Sequence, residues 1–292
     1  MPMTPVLLDS RSLALQLKNN LKVQITEIQK TKNLTPGLAV IRVGDNLASK
    51  SYVASKCRQC QEVGIYSKEY YFPPLTPMEP ILELIYQLNA SETIHGILLQ
   101  LPLPQHLDAF ELIEAIDPVK DVDGLHPQNL GMLSLGQPTV IPCTPKGILT
   151  LLKSHKKDIT GSHAVIVGRS ILVGRPLAML LLKEDCSVTV LHSKSRNISD
   201  ITKTADILVA AVGQPQFIQQ EWVKPGAIVL DVGINHIQGQ KGQMEIVGDV
   251  DFENVSHVAS AITPVPGGIG PMTVASLLEN TVEAALRQIA RQ

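Results

Sequence analysis

Aromatic residues are scarce: five Tyr, four Phe and one Trp in 292 residues. So few rings argue against a stacking platform for single-stranded nucleic acid. A basic excess is missing too, because 25 Lys and Arg stand against 27 Asp and Glu, for a formal charge of −2. A dedicated nucleic-acid binder would carry a clear basic surplus. No apolar run approaches the roughly 18 residues that a membrane helix needs. The opening segment, MPMTPVLLDSRS, has no basic stretch before its apolar residues and first carries charge at Asp9. Neither a secretory leader nor a transit peptide is expected, and the cytosol is the default compartment. Thiols stay reduced there. Cysteine is sparse, at Cys57, Cys60, Cys143 and Cys186. Cys57 and Cys60 form a C-x-x-C, but no second pair and no His pair follows at zinc spacing. The preceding ASKSYVASK has the texture of a helix rather than a strand. The pair therefore reads as two residues one helical turn apart, and no metal is expected.

The remaining composition, 44% hydrophobic and 18% charged, is that of a globular chain. The length predicts about two domains. Leu13, Leu17, Leu21, Ile25 and Ile28 recur every three or four residues, so a helix follows the first apolar stretch, with Asp9 or Ser10 as its cap. Gly37–Val43 is a strand, 48–63 a helix stopped by Gly64, and Ser67–Tyr71 a strand. A helix near Met78–Leu88 and an apolar strand over Ile94–Leu99 complete an α/β alternation, which predicts a mostly parallel sheet. Lys120–Pro145 is rich in Gly and Pro and reads as one long connecting loop, with the domain crossing near 138–146. The second half is again α/β: strands at His163–Gly168, Ser187–Leu191, Ile207–Val212 and Ala227–Val232, and a helix at Pro176–Glu184. A final helix carries Val274, Leu278, Val282, Leu286 and Ile289 on one stripe and could pack on either domain.

Between one strand and one helix of the second half lies Gly168-Arg-Ser-Ile-Leu-Val-Gly174. A dinucleotide fold places its phosphate turn there, because amides at a helix start attract anions. The pattern is not G-x-G-x-x-G, and alone it equally describes an ordinary turn. The following strand ends Leu191-His-Ser-Lys-Ser-Arg196, without the acid that binds the ribose of NAD. Arg169, Ser193, Lys194 and Arg196 suit the 2′-phosphate of NADP instead.

In the first half, Tyr52 and Lys56 are four apart and share a helix face. Gln100 follows an apolar strand, at the end where α/β folds line their crevices. Asp121-Val-Asp123-Gly is an acidic pair or simply a turn. Each signal alone also fits a surface helix, a strand end or a loop.

Six motifs in order remove that ambiguity. They are Tyr52-Val-Ala-Ser-Lys56, Gly96-Ile-Leu-Leu-Gln-Leu-Pro-Leu-Pro104, Lys120-Asp-Val-Asp-Gly124, Pro142-Cys-Thr-Pro145, the Gly168–Gly174 turn, and Thr263-Pro-Val-Pro-Gly-Gly-Ile-Gly-Pro-Met-Thr273. Together they resemble the bifunctional methylenetetrahydrofolate dehydrogenase/methenyltetrahydrofolate cyclohydrolase family over essentially the whole chain. Departures are slight: Ile171 stands where the family often has a polar residue, and Ser10-Arg11 where it often has Gly-Lys, neither expected to touch the chemistry.

The resemblance implies an N-terminal α/β catalytic domain (1–140, joined by the helix 272–292) and a C-terminal Rossmann-like NADP-binding domain (141–271), with the active-site cleft between them. It implies that 5,10-methylene-tetrahydrofolate gives a hydride to NADP⁺ and that water then opens the methenyl cation to 10-formyl-tetrahydrofolate. By this resemblance Lys56 is the base for water addition. It must be neutral to act, a state favoured by burial and by the cationic product. Gln100 orients it without a countercharge, Tyr52 stacks on the folate and Asp123 accepts from the pterin. Leu101, Pro266, Gly267 and Gly268 complete the folate contacts. Gly168, Arg169, Ser170, Gly174 and Ser193 take the NADP phosphates, and Ile234 the carboxamide through its backbone. His126, close to Asp123 in sequence, is a structural loop histidine rather than a proton shuttle. A homodimer is expected. Two other readings are a shikimate-type dehydrogenase, in which Lys56 and Asp123 serve a hydroxyl, and a non-catalytic NADP sensor.

Overall fold

The computed structural model describes residues 4–238 and 243–290. The expected leader-free start at Met1 and the last two residues of the expected helix 272–292 lie outside them. In chain order the first elements are β1 (Val6–Leu7), α1 (Ser10–Lys32), β2 (Gly37–Val43), α2 (Leu47–Val63), β3 (Tyr66–Phe72), α3 (Met78–Ala90) and β4 (Gly96–Leu99). Then come α4 (Ala109–Glu114), α5 (Pro127–Ser134), α6 (Cys143–His155), β5 (His163–Val167), α7 (Gly174–Lys183), β6 (Ser187–Leu191) and α8 (Ile198–Thr202). The last are β7 (Ile207–Ala210), β8 (Ile228–Asp231), β9 (Asn235–Gln238), β10 (Met244–Val247), α9 (Phe252–Val255), β11 (Ala261–Ile262) and α10 (Gly270–Ile289). The chain forms two compact units: Leu15–Cys143 with residues 274–290, and Thr144–Thr273 with residues 4–14.

The unit that begins at Leu15 is built on a parallel sheet ordered β3-β2-β4. Successive side chains of a strand point to opposite faces, so a strand buried on both faces is apolar throughout. β2 follows that rule over Leu38–Ile41 and departs from it at Arg42, which is buried and pairs with Glu69 at 2.8 Å. Leu38 and Val40 join Leu21, Ile25 and Ile28 of α1 and Leu278 and Val282 of α10. Ala39, Ile41 and Val43 face the other way, onto Ile81 and Ile85 of α3 and Leu112 of α4. The last helix thus supplies one wall of this core. α2 starts where the Asn46 side chain accepts the Ser49 amide at 2.9 Å, and stops at Gly64.

The stretch Lys120–Pro145 is not the loop its composition predicts. It contains α5 and the start of α6. Pro127 stands in the first turn of α5, where a missing amide hydrogen costs nothing, and His126 Nδ1 accepts the Gln128 amide at 3.0 Å as its cap. Proline here opens a helix. The polar groups of the stretch are tied down as well. Asn280 of α10 is buried and donates to the carbonyls of Val122 and Ile141, both at 2.9 Å.

The other unit holds a six-stranded parallel sheet in the order β1-β11-β8-β7-β5-β6. β5, β7 and β8 are buried along nearly their whole length. The chain leaves β5 for β6 on one side and returns to β7 on the other, so the strand order reverses at β5. Ligands of such sheets bind at that reversal, beyond the carboxyl ends of the strands. β9 and β10 form a separate antiparallel pair, and β1 and β11 are two-residue strands. None of these four was expected: β1 and β11 are too short to show a pattern, and β9 (Asn-His-Ile-Gln) and β10 (Met-Glu-Ile-Val) are largely exposed and lack a buried apolar run.

Replacing Asn280 with Ala strips two buried carbonyls of their donor, which costs about 1–3 kcal/mol. Urea unfolding of Asn280→Ala is expected to show that loss. A change of only a few tenths would mean that both carbonyls find other donors.

Candidate active site

α2 puts Tyr52 and Lys56 one turn apart, with Tyr52 exposed and Lys56 half-buried. Lys56 Nζ donates to Gln100 Oε1 at 2.9 Å. Gln100 lies just past the carboxyl end of β4 and donates from Nε2 to the Leu101 carbonyl at 2.6 Å, which fixes the orientation of its amide. No carboxylate forms an ion pair with Lys56 among the described residues. Its hydrogen-bond partner is a neutral amide. Asp123 is partly buried nearby, and removal from water holds its carboxyl above the ordinary range. The charge of Lys56 pulls the other way, and Asp121 adds to the rise.

The acidic pair divides its labour. Asp121 is buried and accepts from the amides of Gly124 (2.9 Å) and His126 (2.8 Å) and from Asn129 Nδ2 (2.8 Å). Asp121 is a turn clamp, whereas Asp123 takes a hydrogen bond from Cys143 and feels the charge of Lys56. Lys120 is structural too, donating to the carbonyls of Leu88 (2.9 Å) and Ser91 (2.6 Å), with burial lowering its pKa. His95 Nδ1 accepts the Gly37 amide at 3.0 Å. The C-x-x-C holds no disulfide, and burial pushes the Cys60 thiol up to about 12 and raises Cys57 as well. Thiolate chemistry is disfavoured at both.

In the other unit the Gly168–Gly174 turn leads from β5 into the ten-residue helix α7. Gly168 has φ 131°, and a Cβ on Gly174 would stand 2.0 Å from the Gly168 carbonyl oxygen. Neither position tolerates a side chain, so bare backbone faces the helix start, as close approach by a phosphate requires. A cavity of about 290 Å³ opens here, lined by Gly168, Arg169, Ser170, His192, Ser193 and Val212, among others. Arg169, Ser170 and Ser193 are exposed, as are Lys194 and Arg196 beyond β6. These groups fit a phosphorylated dinucleotide. Ile234 is exposed just past β8, with its amide and carbonyl in the same loop as Gly233. The larger cavity of this unit, about 590 Å³, lies at the opposite ends of the strands, by Ser162, Asp206 and Ile228. It contains no motif residue, so size does not locate the site.

Pro266 is exposed, Gly267 half-buried and Gly268 buried. Ser10 Oγ donates to the Gly267 carbonyl at 2.6 Å, and the Arg11 guanidinium would stand 2.6 Å from a Cβ at Gly267. The departure at Ser10-Arg11 was expected to be remote from the chemistry; it touches the glycine loop. Sequence distance hid that contact, since 257 positions separate Ser10 from Gly267.

Two further acids went unnoticed. Asp231, at the carboxyl end of β8, is buried and accepts from the amides of Gly233 (2.9 Å), Asp249 (2.9 Å) and Val250 (3.0 Å). Burial pushes it up to about 7 against the pull of those amides, with Asp249 adding to the rise. Asp249 is fully buried and accepts four hydrogen bonds, from the amides of Val212, Gly213 and Gln214 and from Asn235 Nδ2. Asp231 was detectable as a polar residue ending an apolar strand; Asp249 left no comparable signal. Among the described residues no group of three or more His, Cys, Asp or Glu could hold a metal ion, and no helix is long and apolar enough to cross a membrane.

Residues 8–123 match the family model for the tetrahydrofolate dehydrogenase/cyclohydrolase catalytic domain, and residues 142–289 that for the NAD(P)-binding domain. The chain is 51% identical to the bifunctional protein FolD of Acetivibrio thermocellus over 281 residues, 96% of this chain and 97% of the relative. The crystal structure of the bifunctional enzyme FolD from Campylobacter jejuni superposes with a TM-score of 0.93 at 46% identity, covering 97% of this chain and 99% of that one. The Trypanosoma brucei enzyme, solved with NADP cofactor and inhibitor, gives 0.94 at 36% identity and covers 99% of both chains. Shikimate dehydrogenase from Aquifex aeolicus reaches a TM-score of 0.50 at 12% identity, covering 85% of this chain and 97% of that one, a likeness of fold alone. With both halves matched in order and half of all residues shared with a full-length relative, this chain belongs to the tetrahydrofolate dehydrogenase/cyclohydrolase family.

Proposed function

We propose that this protein oxidises 5,10-methylene-tetrahydrofolate to the 5,10-methenyl cation with NADP⁺ and hydrolyses that cation to 10-formyl-tetrahydrofolate, within one-carbon metabolism. The observation that carries the reading is the Lys56–Gln100 hydrogen bond in a chain of this family. When bound, NADP⁺ supplies the hydride acceptor. Hydride loss asks no acid or base of the protein at the reacting carbon, only positioning. Arg169, Ser170 and Ser193 grip the nucleotide phosphates, with the bare backbone of Gly168 and Gly174 admitting them. The backbone of Ile234 receives the carboxamide.

Lys56 carries the second reaction. Its neutral amine takes a proton from the water that adds to the methenyl carbon. As the bond from that carbon to N5 then breaks, the new hydroxyl loses its proton to become the carbonyl and N5 gains one, leaving the formyl group on N10 and one proton released overall. Gln100 aims the amine while leaving it free to accept a proton, which a carboxylate partner would disfavour. Tyr52 stacks on the folate, and Asp123 accepts from the pterin N–H groups. Leu101, Pro266, Gly267 and Gly268 line the folate. Asp121, Lys120 and His126 hold the chain around Asp123. The folate chemistry is assigned to the unit that contains Lys56, and nucleotide binding to the unit that contains Gly168. The working form is a cytoplasmic homodimer.

Lys56→Met is expected to lower 10-formyl-tetrahydrofolate formation by about 100-fold or more, the usual worth of a positioned base. Part of the hydride transfer should survive, seen as NADPH formed while the methenyl absorbance accumulates. Unchanged formyl production would remove Lys56 from this role. Arg169→Ala is expected to weaken NADP⁺ at least about tenfold and NAD⁺ far less, because a hydrogen bond to a charged group is worth about 1.5–3 kcal/mol. Equal weakening of both nucleotides, measured by titration, would place Arg169 away from the 2′-phosphate. A wild-type protein that binds NADP⁺ but turns over no folate would instead be a nucleotide sensor.

A further inference from the structure

We infer that Asp249 is a positioning residue for the dinucleotide pocket, its buried carboxyl fastening together the loops that follow β7 and β8. The inference rests on the reading of that pocket as the NADP site. Asp249 Oδ2 accepts the Val212 amide at 2.6 Å and the Gly213 amide at 2.9 Å. Its Oδ1 accepts the Gln214 amide at 3.0 Å and Asn235 Nδ2 at 2.9 Å. Val212 and Gln214 line the cavity, whereas Asn235 opens β9 directly after Ile234, at the end of the loop that follows β8.

Three successive amides aimed at one carboxyl set the face that the loop presents. In a trans peptide the carbonyl points opposite to the N–H. The carbonyls of Ala211, Val212 and Gly213 are therefore turned away from Asp249. For Ala211 the result is visible: its oxygen lies 2.1 Å from where a Cβ on Gly168 would sit. The phosphate turn thus rests on a carbonyl whose direction Asp249 fixes.

The clamp is itself fixed. Asp231 accepts the backbone amides of Asp249 and Val250, and also that of Gly233. Gly233 and Gly248 pack against the two carboxyls with no room for a side chain. A Cβ on Gly233 would stand 2.2 Å from Asp249 Oδ1, and one on Gly248 would stand 1.8 Å from Asp231 Oδ2. Neither acid needs to touch a ligand; both act through the loops.

The two activities supply an internal control, because hydrolysis of added 5,10-methenyl-tetrahydrofolate uses no nucleotide. Asp249→Asn keeps the shape but replaces one acceptor oxygen with a donor that opposes backbone amides. Its NADP⁺ dissociation constant, measured by titration calorimetry, is expected to rise about tenfold or more, in line with the cost of misplaced binding groups. Hydrolysis of added methenyl substrate should stay within about twofold of wild type, a change too small to reflect a lost catalytic contact. Asn235→Ala removes one of the four hydrogen bonds, leaves the carboxyl in place, and carries the test if Asp249→Asn does not fold. It is expected to weaken NADP⁺ several-fold, by about 1 kcal/mol converted to affinity. Unchanged NADP⁺ affinity in the folded variant overturns the inference while leaving the NADP reading intact. Parallel loss of NADP⁺ binding and hydrolysis also overturns it, since that marks general unfolding. A wild-type protein that fails to bind NADP⁺ overturns the reading of the pocket, and the inference with it.

Discussion

Strands buried on both faces leave a parallel sheet only its ends for chemistry. β2, β4, β7 and β8 are buried and, apart from Arg42 and Asp231 near two carboxyl ends, apolar, so polar groups that must meet a ligand stand at or past those ends. Both units obey that constraint. Gln100 follows β4, and Gly168, Val212 and Ile234 follow β5, β7 and β8. The same sealing makes any buried polar atom expensive unless paired. That is why carboxyls and amides inside the molecule appear as clamps with several partners each.

The candidate site is therefore a thin layer of ligand-facing groups on a thicker layer of fixed ones. Lys56 is half-buried and bonded to Gln100, with Asp123 close enough to feel its charge. Asp121, Lys120, Asn280 and His126 hold the turns around them through short hydrogen bonds to backbone. In the nucleotide unit, Asp249 and Asp231 do the same for the loops beyond β7 and β8. The pairing of Lys56 with a neutral amide is the choice with chemical consequence. A carboxylate in place of Gln100 would bind the amine more strongly and favour its charged form.

Local order was legible because it is written in nearest neighbours. The β-branched run of β2, the helical stripe of α10, the C-x-x-C within α2 and the glycine turn after β5 all lie within a few residues of themselves. The loop expected over Lys120–Pro145 failed for a specific reason. Proline there initiates α5, and composition does not distinguish a proline that starts a helix from one that ends a strand. Strands of two residues, such as β1 and β11, gave too little pattern to detect.

Residue types and motif order were enough to name the chemistry, placing Lys56, Gln100, Asp123 and the Gly168–Gly174 turn in a family. They did not reveal that Asp121 clamps a turn, that Ser10 reaches the Gly267 carbonyl, or that Asp249 gathers three successive backbone amides of the loop after β7. Those outcomes depend on backbone groups that every residue possesses, brought together across 37 positions for Asp249 and 257 for Ser10. A side chain announces its own chemistry in sequence, but a backbone amide acquires a role only when folding points it at a partner.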